Sequence, residues 1–402
     1  MNYQTLEKFY YQNRSSYPTE LQNRRASPSA MTLDFKIHDD PAFYLVIPEL
    51  LTLQGNIYQA YMRFQSYFNA LPQVAQDCYC RKCLVDEVVT TNDLEGVHST
   101  RRDVLSVLQF EKKSEKTARF EGLIKKYVLL TEGTNIPLSS LQDIRNLYND
   151  IVLPEIEPSD KPDGLYFRKE PVSVVSATEK VKHHGIIGEA QINEHMMQVL
   201  QILKDSSHTP LVQAAILHYM IGYIHPFYDG NGRLSRFISS YLLSQVFQPI
   251  VAYRLSYTIK QNKKLYYDAF DYVNDRNSGG DLTPFIIIFS ELVYQSILSL
   301  EDKVADVSSQ LRSYCSMIES IKSDDIKDFL FYFIQNSLFS PDPLTFAELS
   351  NISGKSLPTV RKIVNSLISM GFPLNLSRIG HANAYRINED QLAEALANIT
   401  QK

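Results

Sequence analysis

The chain has 402 residues, of which 44% are hydrophobic and 21% charged, and its formal net charge is −5. This composition is ordinary for a globular protein with two or three domains. The N-terminus starts no apolar run and the chain has no stretch of about eighteen uncharged apolar residues, so we expect a cytoplasmic protein and neither export nor membrane insertion.

The first part of the chain is predicted to be mainly helical. Residues 1–30 are polar, with two prolines and scattered serines, and we expect them to be loosely ordered. Residues 41–67 are apolar with helical spacing, and residues 100–150 show the same pattern. Residues 41–67, with the stretch around Glu95, predict a helical platform beside the core.

A short polar segment, Thr-Asn-Asp-Leu-Glu-Gly at residues 91–96, lies within this platform. Glu-Gly after an upstream threonine is common at helix ends, with Gly96 as the C-terminal cap. Taken alone, the segment indicates only a helix terminus.

Extended chain follows a proline-rich surface loop at residues 154–164. Residues 167–175 carry several valines, polar residues 177–180 form a turn, and residues 181–185 return, which predicts a short β-hairpin. His183 and His184 are neighbours in its second strand. They are expected to point to opposite faces, which disfavours a shared zinc ion.

Two predicted helices flank a polar turn. Thr209-Pro210, a capping residue followed by a first-turn proline, begins the first helix, and residues 211–224 are strongly apolar, as in a buried helix. After the turn, residues 234–243 carry apolar side chains near three- and four-residue intervals. Residues 225–236 between them read His-Pro-Phe-Tyr-Asp-Gly-Asn-Gly-Arg-Leu-Ser-Arg.

The composition of this turn is typical of a nucleotide phosphate site. The first N–H groups of the second helix lack partners in the helix, and Gly230 and Gly232 let the chain approach an anion without a Cβ in the way. Arg233 and Arg236 are three residues apart, so both guanidiniums are expected to reach phosphate oxygens on one side of the turn.

A carboxylate and an imidazole complete the turn. Asp229 alone would repel phosphate, but a Mg²⁺ ion binds carboxylate and phosphate oxygens together. An imidazole has an unperturbed pKa of roughly 6.5, so a neutral His225 can accept a hydroxyl proton near neutral pH.

The last part of the chain is predicted to be a separate domain. Residues 325–337, 345–352 and 357–370 have helical character, residues 374–387 fit two strands, and the whole resembles a winged helix-turn-helix. Residues 351–387 contain no acid and five basic residues: Lys355, Arg361, Lys362, Arg378 and Arg386. This positive charge suits DNA phosphates. However, two charges on the recognition helix are few for tight DNA binding, and many such domains bind proteins instead.

Residues 225–236 match, at every specified position, the signature His-Pro-Phe-x-Asp/Glu-Gly-Asn-Gly-Arg-x-x-Arg of the Fic family, which this chain resembles over roughly residues 84–295. The resemblance implies a mainly α-helical enzyme that moves AMP from ATP to a Ser, Thr or Tyr hydroxyl of a target protein and releases pyrophosphate. Gly232 stands where the kinase-like branch of the family has lysine, which favours AMP transfer.

The resemblance also implies roles for individual residues. His225 is the base and Asp229 holds Mg²⁺. ATP and its phosphates are bound by the residues that follow: Gly230, Asn231, Gly232, Arg233, Leu234, Ser235 and Arg236. Downstream, Tyr267 is expected to stack on or close over adenine and Asn274 to hydrogen-bond it. Packing is the alternative role for Tyr267 in a chain with 25 tyrosines.

Residues 91–96 resemble the inhibitory motif Ser/Thr-x-x-x-Glu-Gly/Asn of the same family. In that arrangement the glutamate, here Glu95, pairs with the second arginine of the signature, here Arg236, and keeps the γ-phosphate of ATP from docking productively. Some family members use this glutamate to position a water that removes AMP from the modified target. The sequence does not separate the two directions.

The family's hairpin ahead of the signature is a flap that clamps the target segment by backbone pairing. Here it corresponds to Val181, Lys182, His183 and His184. Prolines often follow the histidine pair in the family, whereas residues 185–188 of this chain read Gly-Ile-Ile-Gly, which puts the stiffness of the flap in question.

We predict four regions: an N-terminal helical region with the inhibitory motif (1–110), a Fic catalytic core (111–298), a helical connector (299–323) and a winged helix-turn-helix domain (324–402). Three hypotheses follow. The chain is an auto-inhibited protein adenylyltransferase, a de-AMPylating hydrolase that uses Glu95, or a DNA-binding regulator whose core senses nucleotide. The target protein is not predicted, and a homodimer is left open.

Overall fold

A computed structural model describes residues 3–108, 120–175, 181–319, 321–379 and 381–400. The chain is mainly α-helical with small β-hairpins, as predicted. Contacts divide it into two compact units. Unit 1 comprises residues 1–60, 90–98 and 119–297, and unit 2 comprises residues 61–89, 99–118 and 298–402. The four regions inferred from the sequence stay a prediction, since the units are not continuous in the chain.

Unit 1 begins with two helices and a hairpin: α1 (Leu6–Gln12), α2 (Tyr17–Arg25), β1 (Ala30–Ile37) and β2 (Asp40–Leu45). The Thr5 hydroxyl caps α1 by accepting a hydrogen bond from the Lys8 N–H. Leu6, Phe43 and Leu45 form a small buried core that anchors these elements. The expectation of a loosely ordered N-terminus is therefore wrong for the residues described.

The apolar segment predicted as one helix over residues 41–67 is a strand followed by a helix. In β2, Phe43 pairs with Thr32 of β1, and its N–H donates to the Gly280 carbonyl at 3.0 Å. A short apolar run fits a strand or a helix by periodicity alone, so pairing with β1 determines the outcome. The helices that follow are α3 (Pro48–Asn69), α4 (Gln73–Leu94) and α5 (Arg101–Leu108).

The rest of unit 1 consists of helices around one short hairpin. Its elements are α6 (Glu121–Thr131), α7 (Leu141–Ile151), 3₁₀ turns at Leu153–Glu155 and Pro158–Asp160, β3 (Ser173–Val175), β4 (Val181–His184), α8 (Glu189–Ile202), α9 (Pro210–Ile224), α10 (Asn231–Ser244), α11 (Pro249–Ala252), α12 (Leu255–Gln261) and α13 (Lys263–Asn274). Nearly every residue of α9 is buried, as its apolar sequence predicts, and α10 packs against it.

A buried histidine ties α9 to its neighbours. Nδ1 of His218 lies 2.8 Å from Ser239 Oγ in α10, and Nε2 lies 2.8 Å from the Tyr266 hydroxyl in α13. Burial lowers the pKa of His218 to about 3, so the imidazole is neutral at pH 7. Because a buried polar group without a partner costs about 1–3 kcal/mol, these bonds help fix the orientation of α10 and α13.

Helix α14 (Thr283–Ile318) is continuous, so the predicted connector at residues 299–323 begins inside it. Its length and apolar composition would suffice to cross a membrane. However, 72% of its most apolar window is buried inside the protein, as in the core helix of a globular fold.

The C-terminal part of unit 2 contains α15 (Asp324–Phe339), β5 (Leu344–Thr345), α16 (Phe346–Ser353), α17 (Leu357–Ser369), β6 (Leu374–Ile379), β7 (Ala382–Ile387) and α18 (Glu389–Thr400). The strands form an antiparallel sheet in the order β5-β7-β6, which confirms the two strands predicted over residues 374–387. Gly380, in the predicted turn between them, lies outside the described residues. The winged helix-turn-helix assignment stays a prediction.

Two of the five basic residues predicted to face DNA phosphates are paired with acids. The Lys355 ammonium lies 2.7 Å from Asp325, and the Arg386 guanidinium lies 3.1 Å from Glu389. These acids lie outside the acid-free segment 351–387, so counting charge along the sequence overstated the free positive charge.

Candidate nucleotide phosphate site

The turn between α9 and α10 is closed by its own side chains. His225 and Gly230 both have left-handed backbone, with φ of 53° and 78°. The Asn231 amide donates to the Phe227 carbonyl at 2.8 Å, and its Oδ1 accepts from the Phe227 N–H at 2.9 Å. The Asn231 side chain therefore shapes the turn, and its predicted role in phosphate binding rests on its backbone N–H.

Helix α7 supports the turn from one side. The Tyr148 ring stacks on Phe227 with centroids 3.6 Å apart, and its hydroxyl donates to the Asp229 carbonyl at 3.2 Å. A Cβ at position 230 would overlap the Val152 side chain, so Gly230 is required by this close approach as well as by its φ.

His225 is held as a neutral base. Its N–H donates to the Ile221 carbonyl at 3.0 Å, and its Nδ1 lies 3.4 Å from the Gly222 carbonyl. Because a carbonyl only accepts, Nδ1 carries the proton in this contact and Nε2 keeps its lone pair. Burial, with a smaller contribution from the Arg168 charge, lowers the pKa of His225 to about 4.

Asp229 lies at the open edge of the turn, with its side chain 52% exposed. One carboxylate oxygen accepts from the Gly230 N–H at 2.5 Å, and the other lies 3.8 Å from the Arg233 guanidinium. Within the described ranges, no group of three His, Cys, Asp or Glu side chains could hold a metal by itself. A single exposed carboxylate fits a Mg²⁺ ion that takes its other ligands from phosphate and water.

Arg233 is paired with a carboxylate that the sequence did not indicate. Its Nη1 lies 2.8 Å from Glu155 Oε2, and both side chains are at most 2% exposed. Arg236 has a different partner, so each guanidinium is paired with its own carboxylate, and their joint contact with phosphate stays a prediction. Glu155 is 78 positions upstream of Arg233, and only the packing of the 3₁₀ turn at Leu153–Glu155 brings it there.

Arg236 contacts the end of α4. Its Nε donates to the Thr91 hydroxyl at 2.8 Å, and its Nη2 donates to the Thr91 carbonyl at 2.9 Å and to Glu95 at 3.0 Å. A Cβ at Gly232 would overlap the Glu95 carboxylate, so this glycine admits Glu95 to the turn. The Glu95–Arg236 contact expected from the resemblance is therefore present in the structure.

Leu234 and Ser235 face the interior. Leu234 is buried, and its N–H donates to the Gly230 carbonyl at 3.1 Å, a hydrogen bond at the start of α10. The Ser235 hydroxyl is buried 3.1 Å from His218 Nδ1. Both side chains are buried, and the part of Leu234 and Ser235 in ATP binding stays a prediction.

The hairpin predicted as the flap is present. Strands β3 and β4 are antiparallel, with Ser173 opposite His184 and Val174 opposite His183. The predicted turn at residues 177–180 lies outside the described residues, and Val181 and Lys182 are described by their backbone alone.

The two flap histidines have separate partners, as their opposite orientation predicts. The His183 ring stacks on Tyr223 with centroids 4.7 Å apart, and its Nε2 donates to the Tyr223 carbonyl at 2.7 Å. His184 Nδ1 lies 3.0 Å from the Ser173 hydroxyl. Desolvation lowers the pKa of His183, which therefore favours the neutral form.

The two residues predicted near adenine differ in how free their side chains are to contact a ligand. Tyr267 in α13 is 49% exposed, and both Arg236 and Glu95 influence its pKa, which burial raises. It therefore lies within electrostatic reach of the phosphate site. Asn274 accepts a hydrogen bond from the Tyr219 hydroxyl at 2.8 Å, so its side-chain oxygen already has a partner within the protein.

Comparison with known proteins identifies a family for part of this chain. Residues 137–243, which include α9, the turn and most of α10, match the Fic/DOC family. This chain contains a Fic domain. The match ends before α13 and does not include the segment with Thr91 and Glu95.

Curated relatives match this chain over a limited length. The protein adenylyltransferase Fic of Aedes aegypti is 34% identical over 88 residues, or 22% of this chain and 16% of the relative. That of Nematostella vectensis is 40% identical over 77 residues, or 19% and 16%. The crystal structure of a Fic family protein from Desulfovibrio desulfuricans covers 86% of this chain and 98% of its own, with 18% identity and a TM-score of 0.51, and so shows a shared fold alone.

Two supports of the Fic domain have no signal in the sequence. Tyr148 and Glu155 hold the carbonyl of Asp229 and the guanidinium of Arg233, respectively. Both lie inside the matched residues 137–243. No spacing rule connects them to the turn, since their approach depends on how α7 packs.

Proposed function

We propose that the Fic domain is a protein adenylyltransferase that moves AMP from ATP to a Ser, Thr or Tyr hydroxyl of a target protein or of the chain itself. The observation that carries the proposal is the single turn that joins a neutral imidazole, His225, to a glycine-lined helix N-terminus. The names of the curated relatives support the same activity.

In the proposed reaction, Nε2 of His225 takes the proton of the target hydroxyl. The hydroxyl oxygen forms a bond to the α-phosphorus of ATP, the bond from that phosphorus to the β-phosphate oxygen breaks, and pyrophosphate leaves. The first N–H groups of α10 stabilise the phosphate charge. Asp229 would hold Mg²⁺, which supplies positive charge to the phosphates when bound.

We also propose that Glu95 inhibits this reaction. A guanidinium that donates to a carboxylate at 3.0 Å cannot offer the same N–H to the γ-phosphate of ATP. Thr91 accepts hydrogen bonds from two further N–H groups of Arg236, so the end of α4 occupies most of the guanidinium's donors. The alternative is a hydrolase in which Glu95 positions a water that removes AMP from a modified target.

Two labelled nucleotides test the reaction. Purified Glu95→Gly protein, incubated with Mg²⁺ and host lysate, is expected to label protein bands from α-labelled ATP and not from γ-labelled ATP. The reason is that AMP keeps the α-phosphorus and pyrophosphate carries away the γ-phosphorus. Label from γ-labelled ATP would indicate phosphate transfer instead, and no label from either nucleotide would count against any transferase.

We propose DNA binding through α17 as a second function, located in unit 2. Arg361 and Lys362 are both exposed on this helix, in a chain of net charge −5. The full chain is expected to bind its own promoter DNA with a strong salt dependence, and replacing both residues with alanine should reduce the salt slope by about two. Lys355→Ala is the matched control, because its ammonium is already paired with Asp325. Binding that ignores salt would contradict this function.

A further inference from the structure

Arg168 is a fully buried guanidinium next to the candidate base. Its side chain has no exposed surface, and all of its hydrogen bonds to described residues end on backbone carbonyls. Burying a charge is costly unless its donors are paired. A buried cation with such partners points to a role in fixing the positions of those carbonyls.

The carbonyls belong to the flap and to the base. Nε of Arg168 donates to the His225 carbonyl at 2.8 Å. Nη1 donates to the Glu170 carbonyl at 2.6 Å, ahead of β3, and Nη2 donates to the Ile186 carbonyl at 2.8 Å, just after β4. One planar group therefore joins both ends of the hairpin to the residue that carries the imidazole.

Backbone hydrogen bonds reinforce this connection. The Arg168 N–H donates to the Pro226 carbonyl at 3.1 Å, and the Ile186 N–H donates to the Ile224 carbonyl at 3.0 Å. A Cβ at Gly185 would lie 2.5 Å from Arg168 Nη2. The glycine that follows the histidine pair is thus needed for the guanidinium to reach its place.

We propose that Arg168 is a positioning residue that holds the flap and His225 in one fixed arrangement, so that a target segment paired with the flap presents its hydroxyl to the base. This inference rests on the proposed function, which supplies the target and its hydroxyl. Arginine suits the task because its planar fork reaches several carbonyls at once, whereas a lysine ammonium is a point charge on a flexible stem.

Kinetics of Arg168→Lys in the Glu95→Gly protein test the proposal. We expect kcat/KM for the target to fall at least about tenfold, since small misplacement of reacting groups is costly. The Kd for ATP is expected to stay within about twofold, because Arg168 acts through the flap and the base. Arg145→Lys is the matched control. Arg145 donates to the carbonyl of Tyr166, two residues before Arg168, at 2.9 Å, and its described hydrogen bonds do not reach the flap or the base. It is expected to change neither quantity.

Hydrogen exchange without nucleotide separates this inference from the proposed function. Arg168→Lys and Arg168→Gln are expected to speed exchange in residues 181–187 and 224–227 together, while Arg145→Lys does not. Unchanged exchange in both segments would overturn the role of Arg168, as would a loss of ATP affinity as large as the loss of transfer. Faster exchange in both segments, with a Glu95→Gly parent that transfers no AMP, would uphold the connection and count against the proposed function.

Discussion

Replacing Glu95 with glycine is expected to raise protein AMP labelling about ten- to a hundredfold. Glu95 lies 3.0 Å from Arg236 Nη2 with its side chain 21% exposed, so the contact is mostly shielded from water. A hydrogen bond between charged groups is worth about 1.5–3 kcal/mol, which corresponds to this range of rates. The measurement is the initial rate of transfer from α-labelled ATP by wild type and Glu95→Gly at equal concentration.

Two matched variants sharpen this experiment. Glu95→Gln keeps an acceptor without the charge, so its labelling is expected to lie between those of wild type and Glu95→Gly. Asp93 lies in the same turn of α4 but pairs with Lys260 at 2.9 Å on the surface, and Asp93→Asn is expected to label like wild type. Equal labelling by all these proteins would contradict auto-inhibition. Removal of AMP from a pre-modified target by wild type, and its loss in Glu95→Gly, would favour the hydrolase.

Replacing His225 with alanine in the Glu95→Gly protein is expected to lower AMP transfer about 10²–10⁴-fold, the usual contribution of a general base. The Kd for ATP should change little, because the imidazole acts on the target hydroxyl and not on the phosphates. Rates and ATP affinity are measured on the same preparation. His195→Ala is the control, since His195 is an α8 residue whose Nδ1 bonds a carbonyl of its own helix at 2.8 Å.

The pH profile of the Glu95→Gly protein gives an independent check on His225. Burial holds its pKa at about 4, below the ordinary value, so the imidazole can accept a proton throughout neutral pH. Transfer is therefore expected to stay flat from pH 8 to pH 6 and to fall only when the imidazole becomes protonated near pH 4–5. A half-maximal rate near pH 6.5 would indicate a solvated imidazole and would contradict the desolvated base.

The local parts of the candidate site could be predicted from the sequence. The helix that ends at Ile224 and the helix that starts at Asn231 lie where the proline, the glycines and the apolar spacing placed them. The β3–β4 hairpin also follows from its valines and polar turn. These features depend on backbone sterics and on side-chain periodicity over a few residues, which the local sequence contains.

The ion-pair partners of the two arginines were harder to predict. The sequence predicted that Arg233 and Arg236 both reach phosphate oxygens on one side of the turn, but its spacing did not indicate that each is paired with its own carboxylate. Glu95 was expected at Arg236 from the resemblance alone, because nothing in the spacing of the chain relates residues 141 positions apart. Neither the spacing of the chain nor the resemblance indicated Glu155.

By itself, the sequence determined the chemical groups of the turn, namely the imidazole, the carboxylate, the glycine-lined N-terminus and two guanidiniums. Tertiary structure alone decided that Glu155 pairs with Arg233, that His225 is desolvated enough to stay neutral, and that Arg168 ties the flap to it. The physical reason is the distance along the chain over which each effect acts. Backbone conformation is set by neighbours in the chain, whereas desolvation and ion pairing depend on segments that approach only when helices such as α4 and α7 pack.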